Sequence, residues 1–335
     1  MAKLRDIAEK TGLSVSTVSR ALRDAPDIKP ATIDLVKRTA QQMGYRVRLM
    51  SEKCKCIGLI VPEFVSNYYA EMAETIHRAL KKRGYSLITA IGGFESASIL
   101  TAFDELQMHD ICGVIVNDCF QLKGGDDLQR HNRITQSTLP LILISENAVR
   151  SHVDVIRVDN AMAVRLIIDH LIELGHRRIG YIGEYASDVR YGAYLSIMRE
   201  YGLEVSEQYV KRGRERFELG GYLRAKELLA APEFDRLTAV VACYDQVAMG
   251  AMSAFSEAGV RVPEDISIAG FDNIIINDYM PIQLTSISSP IEHLCELSVK
   301  LLLDNIKSGP EHVVQNVALQ PRLVERSSTC APKNP

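Results

Sequence analysis

Residues 11–23 constrain the fold most, because they have the pattern of the turn and second helix of a helix-turn-helix near the N-terminus of the chain. Gly12 permits a sharp turn after a first helix, and Ser14 is placed to cap the second helix. Apolar residues recur at helical spacing in both helices, which predicts that the two helices pack on each other. These residues are Leu4, Ile7 and Ala8 in the first helix and Val18, Ala21 and Leu22 in the second.

The opposite face of the second helix carries Ser16, Thr17, Ser19 and Arg20. Short hydroxyl side chains let a helix approach phosphates and base edges closely, and an arginine offers a forked donor for a guanine edge or a phosphate. A third helix is predicted over residues 31–43, so this end of the chain would form a three-helix headpiece that binds DNA. The alternative is an ordinary helical hairpin whose serines and threonines only face solvent.

The distribution of charge favours the DNA-binding interpretation. Residues 1–55 contain twelve Lys and Arg against six Asp and Glu, a net charge of +6. The whole chain has a net charge of −3, so the remaining 280 residues together carry −9. A basic head on an acidic body is typical of a protein that places one end on phosphates.

The rest of the chain alternates apolar runs with amphipathic segments, which predicts an α/β fold. Predicted strands lie at residues 57–61, 86–91, 113–116, 141–144, 179–182, 239–242 and 266–269. Predicted helices lie at residues 70–83, 160–174, 190–201, 219–230 and 245–258. Because about 270 residues exceed what one hydrophobic core usually holds, we expect two doubly wound lobes.

Residues 4–22, with the sequence LRDIAEKTGLSVSTVSRAL, resemble the headpiece of the lactose/galactose repressor family of transcriptional regulators. Five later segments resemble the pattern of that family in the same order, so the resemblance covers nearly the whole chain. They are GY at 44–45, VDN at 158–160, HLIELGHRRIG at 170–180, PEDISIAGFD at 263–272 and LVERSST at 323–329.

The resemblance implies a DNA-binding headpiece followed by two lobes like those of periplasmic sugar-binding proteins, joined by three crossovers. The expected divisions are a headpiece at 1–48, a short linker at 49–56, a first lobe at 57–160 with 290–317, and a second lobe at 161–289 with 318–329. The expected activity is that of a regulator, most simply a repressor, whose affinity for operator DNA is set by a small molecule bound between the lobes.

The candidate DNA-binding residues are Lys3, Leu4, Ser14, Val15, Ser16, Thr17, Ser19, Arg20 and Leu49. Leu49 lies in the linker, where members of the family usually have Pro-Asn and a hinge helix whose leucine wedges into the minor groove. Here residues 46–56 contain no Pro-Asn and the linker is several residues shorter, so at most one turn of helix fits. Leu49, or alternatively Met50, is the candidate for an apolar wedge, and without a hinge helix we expect little bending of the DNA.

Open α/β sheets bind ligands beyond the carboxyl ends of their strands, which places the candidate ligand site in the cleft between the lobes. Tyr68 and Tyr69 follow the first strand, Asp272 follows a later strand, and Arg190 begins a helix. The resemblance implies that Arg190 and Asp272 hold the effector through hydrogen bonds. It also implies that Tyr68, Tyr69 and Phe217 stack on the apolar face of a sugar ring.

Three candidate effector-binding positions depart from the family pattern. Ser145 stands where many sugar-responsive members have a carboxylate, Tyr244 stands where they often have Asn, and the spacing after Phe217 is one residue short. These departures point away from the commonest ligand of the family, although a mono- or oligosaccharide remains the expected class. The alternatives are that the tyrosines only close strand ends and that Arg190 and Asp272 form a structural ion pair.

No cofactor and no metal are expected, because Cys54-x-Cys56 offers only two ligands. The sequence contains no G-x-G-x-x-G, Walker-type, G-x-S-x-G or H-E-x-x-H motif, which argues against an enzyme. Seven scattered cysteines, no signal peptide and no membrane-spanning run predict a cytoplasmic protein that binds no membrane.

The expected partners are operator DNA, a small-molecule effector and a second copy of the chain. A homodimer is expected because the chain has no C-terminal heptad extension that would join dimers into tetramers. The alternative functions are a carbohydrate-processing enzyme and a plain sugar-binding protein on the same fold.

Overall fold

The computed structural model describes residues 4–22, 28–43, 54–118, 125–146 and 152–333. The candidates Lys3 and Leu49 and most of the linker lie outside these ranges. Within them, the chain forms a three-helix headpiece and two lobes, each built on one six-stranded sheet. The predicted fold class is confirmed.

The headpiece consists of α1 (Leu4–Thr11), α2 (Val15–Leu22) and α3 (Pro30–Gln42). Gly12, between α1 and α2, has φ of +67°, a conformation that glycine adopts without strain. Ser14 caps α2 as predicted, since its Oγ accepts a hydrogen bond from the backbone N–H of Thr17 at 3.0 Å. The buried core of the headpiece is made of Ile7, Ala8, Val18, Ala21, Leu22, Val36 and Ala40.

The sheet of the first lobe has the strand order β11-β5-β4-β3-β1-β2, and all its neighbouring strands are parallel. Its strands are β1 (Cys56–Val61), β2 (Ser86–Ile91), β3 (Gly113–Asp118), β4 (Leu141–Ser145), β5 (Asp154–Val158) and β11 (Asn316–Leu319). Its helices are α4 (Asn67–Lys82), α5 (Ser96–Leu106), α6 (Gly125–Thr135) and α11 (Ile291–Ser308). Successive residues of β1 point to opposite faces, so the lobe has two hydrophobic cores, one on each side of the sheet.

The sheet of the second lobe has the order β12-β10-β9-β8-β6-β7 and is parallel except for the antiparallel edge pair β10–β12. Its strands are β6 (Ile179–Glu184), β7 (Val210–Gly213), β8 (Ala239–Ala242), β9 (Ser267–Phe271), β10 (Thr285–Ser288) and β12 (Arg322–Val324). Its helices are α7 (Asn160–Glu173), α8 (Asp188–Glu200), α9 (Phe217–Leu229) and α10 (Asp245–Glu257). They surround one large apolar core.

The chain passes between the lobes three times. It leaves the first sheet after β5 to begin α7, returns after β10 to begin α11, and crosses again between β11 and β12. Both sheets reverse their strand order at an inner strand, β1 between β2 and β3 in one lobe and β6 between β7 and β8 in the other. Such a reversal leaves a crevice at the carboxyl ends of the strands, where α/β proteins bind ligands.

Several elements were missed by the sequence analysis. The short strands β7, β11 and β12 lie at sheet edges and have three or four residues of mixed polarity, too few for a clear period. Helix α6 contains GDDLQRHNRIT, a segment too polar to show an apolar stripe, and it buries only His131 and Ile134. The predicted helices of both lobes exist, with ends that differ by at most three residues.

Helices α9 and α10 pack backbone against backbone, which requires glycine at the contact. A Cβ atom on Gly250 would lie 1.9 Å from the carbonyl oxygen of Glu218, and one on Gly221 would lie 1.9 Å from that of Val247. Neither contact is sterically possible, so any side chain here would push the two helices apart.

We expect Gly250→Ala to destabilise the second lobe by about 2–3 kcal/mol or more, the usual range for overpacking against a backbone that must move. Gly192→Ala is the matched control, because it is also helical and its Cβ would meet no atom within 4 Å. That control should be neutral or more stable by up to about 1 kcal/mol. Urea unfolding followed by circular dichroism measures both, and equal midpoints for the two variants would contradict the packing.

Candidate functional site

A cleft of about 280 Å³ lies between the lobes, at the carboxyl ends of the inner strands. Every effector-binding candidate proposed from the sequence lines it, although the candidates are spread over more than 200 positions. They are Tyr68, Tyr69, Ser145, Arg190, Phe217, Tyr244 and Asp272. The first three come from the first lobe and the other four from the second, so the site is complete only when the two lobes face each other.

Arg190 on α8 is held by three parts of the protein. Its Nε donates to Oδ1 of Asn160 at 3.1 Å, its Nη1 donates to the carbonyl of Cys243, and its Nη2 donates to Oδ1 of Asp272 at 3.3 Å. The guanidinium also lies 4.6 Å from the ring centroid of Phe271. Burial would lower the pKa of Arg190, but Asp272 and other nearby acidic groups outweigh it, so the pKa is raised and the charge is retained.

Asp272 follows β9 and has an unusual backbone, with φ of +94°. The conformation is left-handed and strained for a residue with a side chain, and such strain is typical of binding sites. Burial raises the pKa of its carboxyl, while the adjacent Arg190 lowers it. Arg190 and Asp272 do form an ion pair, as the structural alternative from the sequence requires. Both side chains also line the cleft and are about 15% exposed, so they remain available to a ligand.

The loop that carries Asp272 is held by hydrogen bonds to Asp245, the first residue of α10. Oδ2 of Asp245 accepts hydrogen bonds from the backbone N–H of Ile274 at 2.9 Å and from Nδ2 of Asn277 at 2.7 Å. Its Oδ1 accepts a hydrogen bond from the Ser286 hydroxyl at 2.6 Å. Asp245 is fully buried, and burial together with the nearby Asp272 raises its pKa from 3.8 to about 7.

The aromatic candidates lie on both sides of the cleft. Tyr68 and Tyr69 pack edge to face at 5.4 Å between centroids, and Phe217 and Tyr244 do the same at 6.0 Å. Burial, with Asp272 next in effect, raises the pKa of Tyr68, so its hydroxyl stays protonated and can donate. These rings offer apolar surface beside hydrogen-bonding groups, the combination that suits a sugar ring.

Ser145 lines the cleft, but its hydroxyl is turned toward the protein. It donates to Oδ2 of Asp118 at 3.3 Å, and the residue is almost completely buried. The next residue, Glu146, is the carboxylate exposed to the cleft. The cleft walls that surround Glu146 raise its pKa, an effect that Arg190 partly offsets. A carboxylate is therefore present here, one position after the one where the family pattern places it.

A second arginine, Arg216, connects the lobes directly. Its Nη1 lies 2.6 Å from Oε2 of Glu63 in the first lobe, and its Nε lies 3.2 Å from Oε2 of Glu184 in the second. Its guanidinium carbon lies 4.4 Å from the ring centroids of Phe94 in the first lobe and Phe217 in the second. We call these five residues the Arg216 clamp.

Most of the polar groups of the cleft were not predicted from the sequence, including Glu146, Glu184 and Arg216. A usable signal was present for two of them, since Glu184 ends β6 and Glu146 follows β4, both at the edge where ligands bind. Applying the strand-end rule to every predicted strand would have found them. Arg216 carries no such signal, because its partner Glu63 is 153 residues away.

The outward face of α2 carries the described DNA-binding candidates. Val15 is 46% exposed, Ser16 and Arg20 are exposed, and Thr17 and Ser19 are half-buried. The Ser14 hydroxyl is engaged in capping and lies 2.8 Å from the Thr17 hydroxyl. Leu4 begins α1 and packs partly into the headpiece core. The helix therefore presents short polar side chains and one arginine on a rigid support.

Within the described ranges, no helix is long and apolar enough to cross a membrane.

Two family descriptions match the chain. Residues 3–47 match the bacterial regulatory proteins of the lacI family, and residues 168–329 match a periplasmic binding protein-like domain. The chain is 29% identical to the HTH-type transcriptional repressor PurR of Pasteurella multocida over 98% of both chains. It is 28% identical to the HTH-type transcriptional repressor CytR of Escherichia coli K12 over 98% of this chain and 97% of that one.

Solved structures share the fold. The lac repressor dimer bound to operator and the anti-inducer ONPF superposes with a TM-score of 0.74, at 23% identity over 98% of this chain and 99% of that one. A lacI-family regulator from Enterococcus faecium with bound ribose has a TM-score of 0.70 and 27% identity, over 83% and 100%. The CelR–cellobiose complex has a TM-score of 0.70 and 25% identity, over 98% and 100%.

The raised pKa of Asp245 predicts a pH-dependent stability. The folded protein holds this proton more tightly than the unfolded chain does, so the free energy of unfolding should fall as pH rises from about 4 to about 7, by at most about 1.4 kcal/mol per pH unit. Asp245→Asn should make this slope smaller, because it removes the contribution of Asp245 and leaves that of the other buried carboxyls, such as Asp272. Unfolding by urea at pH 5, 6, 7 and 8 measures it for both proteins, and an identical pH dependence would show that Asp245 does not titrate in this range.

Proposed function

Because the chain belongs to the lacI family of bacterial regulatory proteins, we propose that it is a transcriptional repressor whose operator affinity is controlled by a small sugar bound between its lobes. Effector-controlled DNA binding is the activity of this family, and the curated relatives that match over nearly the full length are named repressors and regulators. The chain is therefore a regulator and not an enzyme.

One observation carries the proposal: the same chain has a polar helix exposed on a basic headpiece and a ligand-sized cleft at the strand ends of both sheets. A plain sugar-binding protein has no use for the headpiece. We infer that α2 enters the major groove, with Arg20 at a guanine edge and Ser16 and Thr17 near base edges or phosphates. We keep Lys3 and Leu49 as proposed contacts, along with Leu4, Ser14, Val15 and Ser19.

The chemistry of the cleft supports a sugar as the effector. Arg190 and Asp272 offer donors and acceptors side by side, Glu146 adds an acceptor, and Tyr68 and Tyr244 add apolar faces with a hydroxyl. Relatives at 27% and 25% identity were solved with ribose and with cellobiose. We propose that Arg190 and Asp272 bind neighbouring hydroxyl groups of the sugar. Arg190 would use N–H donors, and Asp272 oxygen acceptors, that their mutual ion pair leaves unused.

The proposed control is a shift between two arrangements of the lobes. A ligand changes the operator affinity only if it binds one arrangement more tightly than the other, and a cleft formed by both lobes makes its affinity depend on how they face each other. We propose that two copies pair through their lobes; the lac repressor, which shares the fold, was solved as a dimer bound to operator. Two headpieces would then reach half-sites about one turn of DNA apart. The bacterial cytoplasm, where the DNA is, is the proposed place of action.

We expect Arg20→Ala to weaken binding to the operator by about 1–3 kcal/mol while leaving binding to random DNA nearly unchanged, because a guanine contact carries sequence specificity. Arg38→Ala on α3 is the matched control, since it removes the same charge from the headpiece away from α2. Fluorescence anisotropy at several salt concentrations measures both. Equal losses of Arg20→Ala on operator and random DNA would assign Arg20 to a phosphate instead.

We expect Arg190→Ala and Asp272→Asn to abolish the response to effector while leaving operator binding intact, because both residues line the cleft and neither is in the headpiece. Arg165→Ala is the control, because Arg165 forms a comparable ion pair with Glu200 on the surface of the second lobe. A thermal-shift screen of sugars, sugar phosphates and nucleobases provides the ligand, which at one hundred times its Kd adds about 2.7 kcal/mol to stability. An unchanged response in both cleft variants would return the pair to a purely structural role.

A further inference from the structure

The Arg216 clamp takes one charged group and one aromatic ring from each lobe. Glu63 and Phe94 come from the first lobe, Glu184 and Phe217 from the second, and the guanidinium contacts all four. The clamp is secured locally as well, since Oε1 of Glu184 accepts the backbone N–H of Phe217 at 3.0 Å. A protein side chain thus makes the contacts with both lobes that a ligand in the cleft would make.

The distances from the Arg216 guanidinium to the rings of Phe94 and Phe217 define the gap that it occupies. Each ring centroid lies 4.4 Å from the guanidinium carbon, so twice that distance, 8.8 Å, is the largest possible separation of the Phe94 and Phe217 centroids. A planar or nearly flat group stacks at about this spacing from each ring. The gap between these rings therefore has room for one flat group, and Arg216 fills it.

The clamp places one cation between two carboxylates and is partly shielded from water. Burial lowers the pKa of Arg216, but hydrogen bonds and ion pairs with Glu63 and Glu184 outweigh this effect and raise it. Displacing the guanidinium would leave two facing carboxylates without their cation, of which Glu184 is almost completely buried. A neutral sugar ring could not replace that charge, so it would not displace Arg216 without a large loss of affinity.

The other part of the cleft remains accessible. It is lined by Tyr68, Glu146, Asn160, Arg190 and Asp272, which bring hydrogen-bonding groups from both lobes to one place. The total volume of about 280 Å³ is at the lower limit for ligand pockets. The cleft therefore has space for one sugar ring, and Arg216 blocks the place next to it.

We propose that Arg216 is a specificity-determining residue that fills the position of a second sugar ring and restricts the effector to a single-ring ligand. This inference rests on the proposed function, since it concerns the size of the effector in that cleft. It assigns to Phe217 a different role from the one expected, because the ring stacks on Arg216 rather than on the ligand. Tyr68, Tyr69 and Tyr244 are left as the aromatic surfaces for the effector.

The test compares single-ring and two-ring ligands on the full-length protein. A panel of aldoses and the disaccharides built from them, including ribose, glucose and cellobiose, is measured by calorimetry and by release or retention of operator DNA. The wild-type protein should respond to a single-ring sugar and bind the corresponding disaccharide at least about tenfold more weakly. Arg216→Ala should reduce or remove this difference by opening the gap between Phe94 and Phe217.

Arg214→Ala is the matched control, because Arg214 is exposed, lies two residues away and does not line the cleft. Should Arg216→Ala fail to fold, Arg216→Lys keeps the cation but not the flat group, and it should reduce the discrimination partly. A wild-type protein that binds a disaccharide as tightly as its component ring would overturn the inference and leave the regulator intact. No binding and no DNA response across the panel would instead overturn the sugar-controlled function, and the inference with it.

Discussion

Both sheets reverse their strand order at an inner strand, and the whole cleft depends on that arrangement. In a parallel sheet the carboxyl ends of all strands lie at one edge, and the reversal at β1 and at β6 separates the following connections so that a crevice opens between them. The lobes face each other at these edges, so Tyr68, Glu184 and Asp272 meet although they are far apart in sequence. Strand pairing by backbone hydrogen bonds is thus what gives the site its residues.

The buried charged groups of the cleft differ in how their charge is compensated. Arg190 and Asp272 pair with each other, so each reduces the desolvation cost of its neighbour. Asp245 is fully buried, and this burial, followed by the nearby charge of Asp272, raises its pKa, although three hydrogen-bond donors partly offset the rise. Two of the donors, Ile274 and Asn277, follow Asp272 in the same loop, and the third, Ser286, is on β10, so the buried carboxylate joins the strained loop to the sheet.

Local patterns in the sequence predicted the parts of the structure that depend on neighbouring residues. The headpiece helices, the Ser14 cap and the buried central strands all follow from spacing and capping rules, and the structure has them. The cleft residues that were found, such as Arg190 and Asp272, came from the family resemblance and the strand-end rule. The rest depends on contacts between distant residues: Arg216 meets Glu63 only because the two lobes are folded against each other, and the turn of the Ser145 hydroxyl toward Asp118 depends on side-chain packing.

The three chain passages between the lobes have a mechanical consequence. Three connecting segments restrict the relative motion of two lobes more than a single connection would, and rotation about an axis through the connections is the motion that they allow most readily. When the lobes rotate about this axis at the cleft, their far ends move in a fixed direction. A small displacement around a bound molecule therefore acquires a defined direction within the lobes.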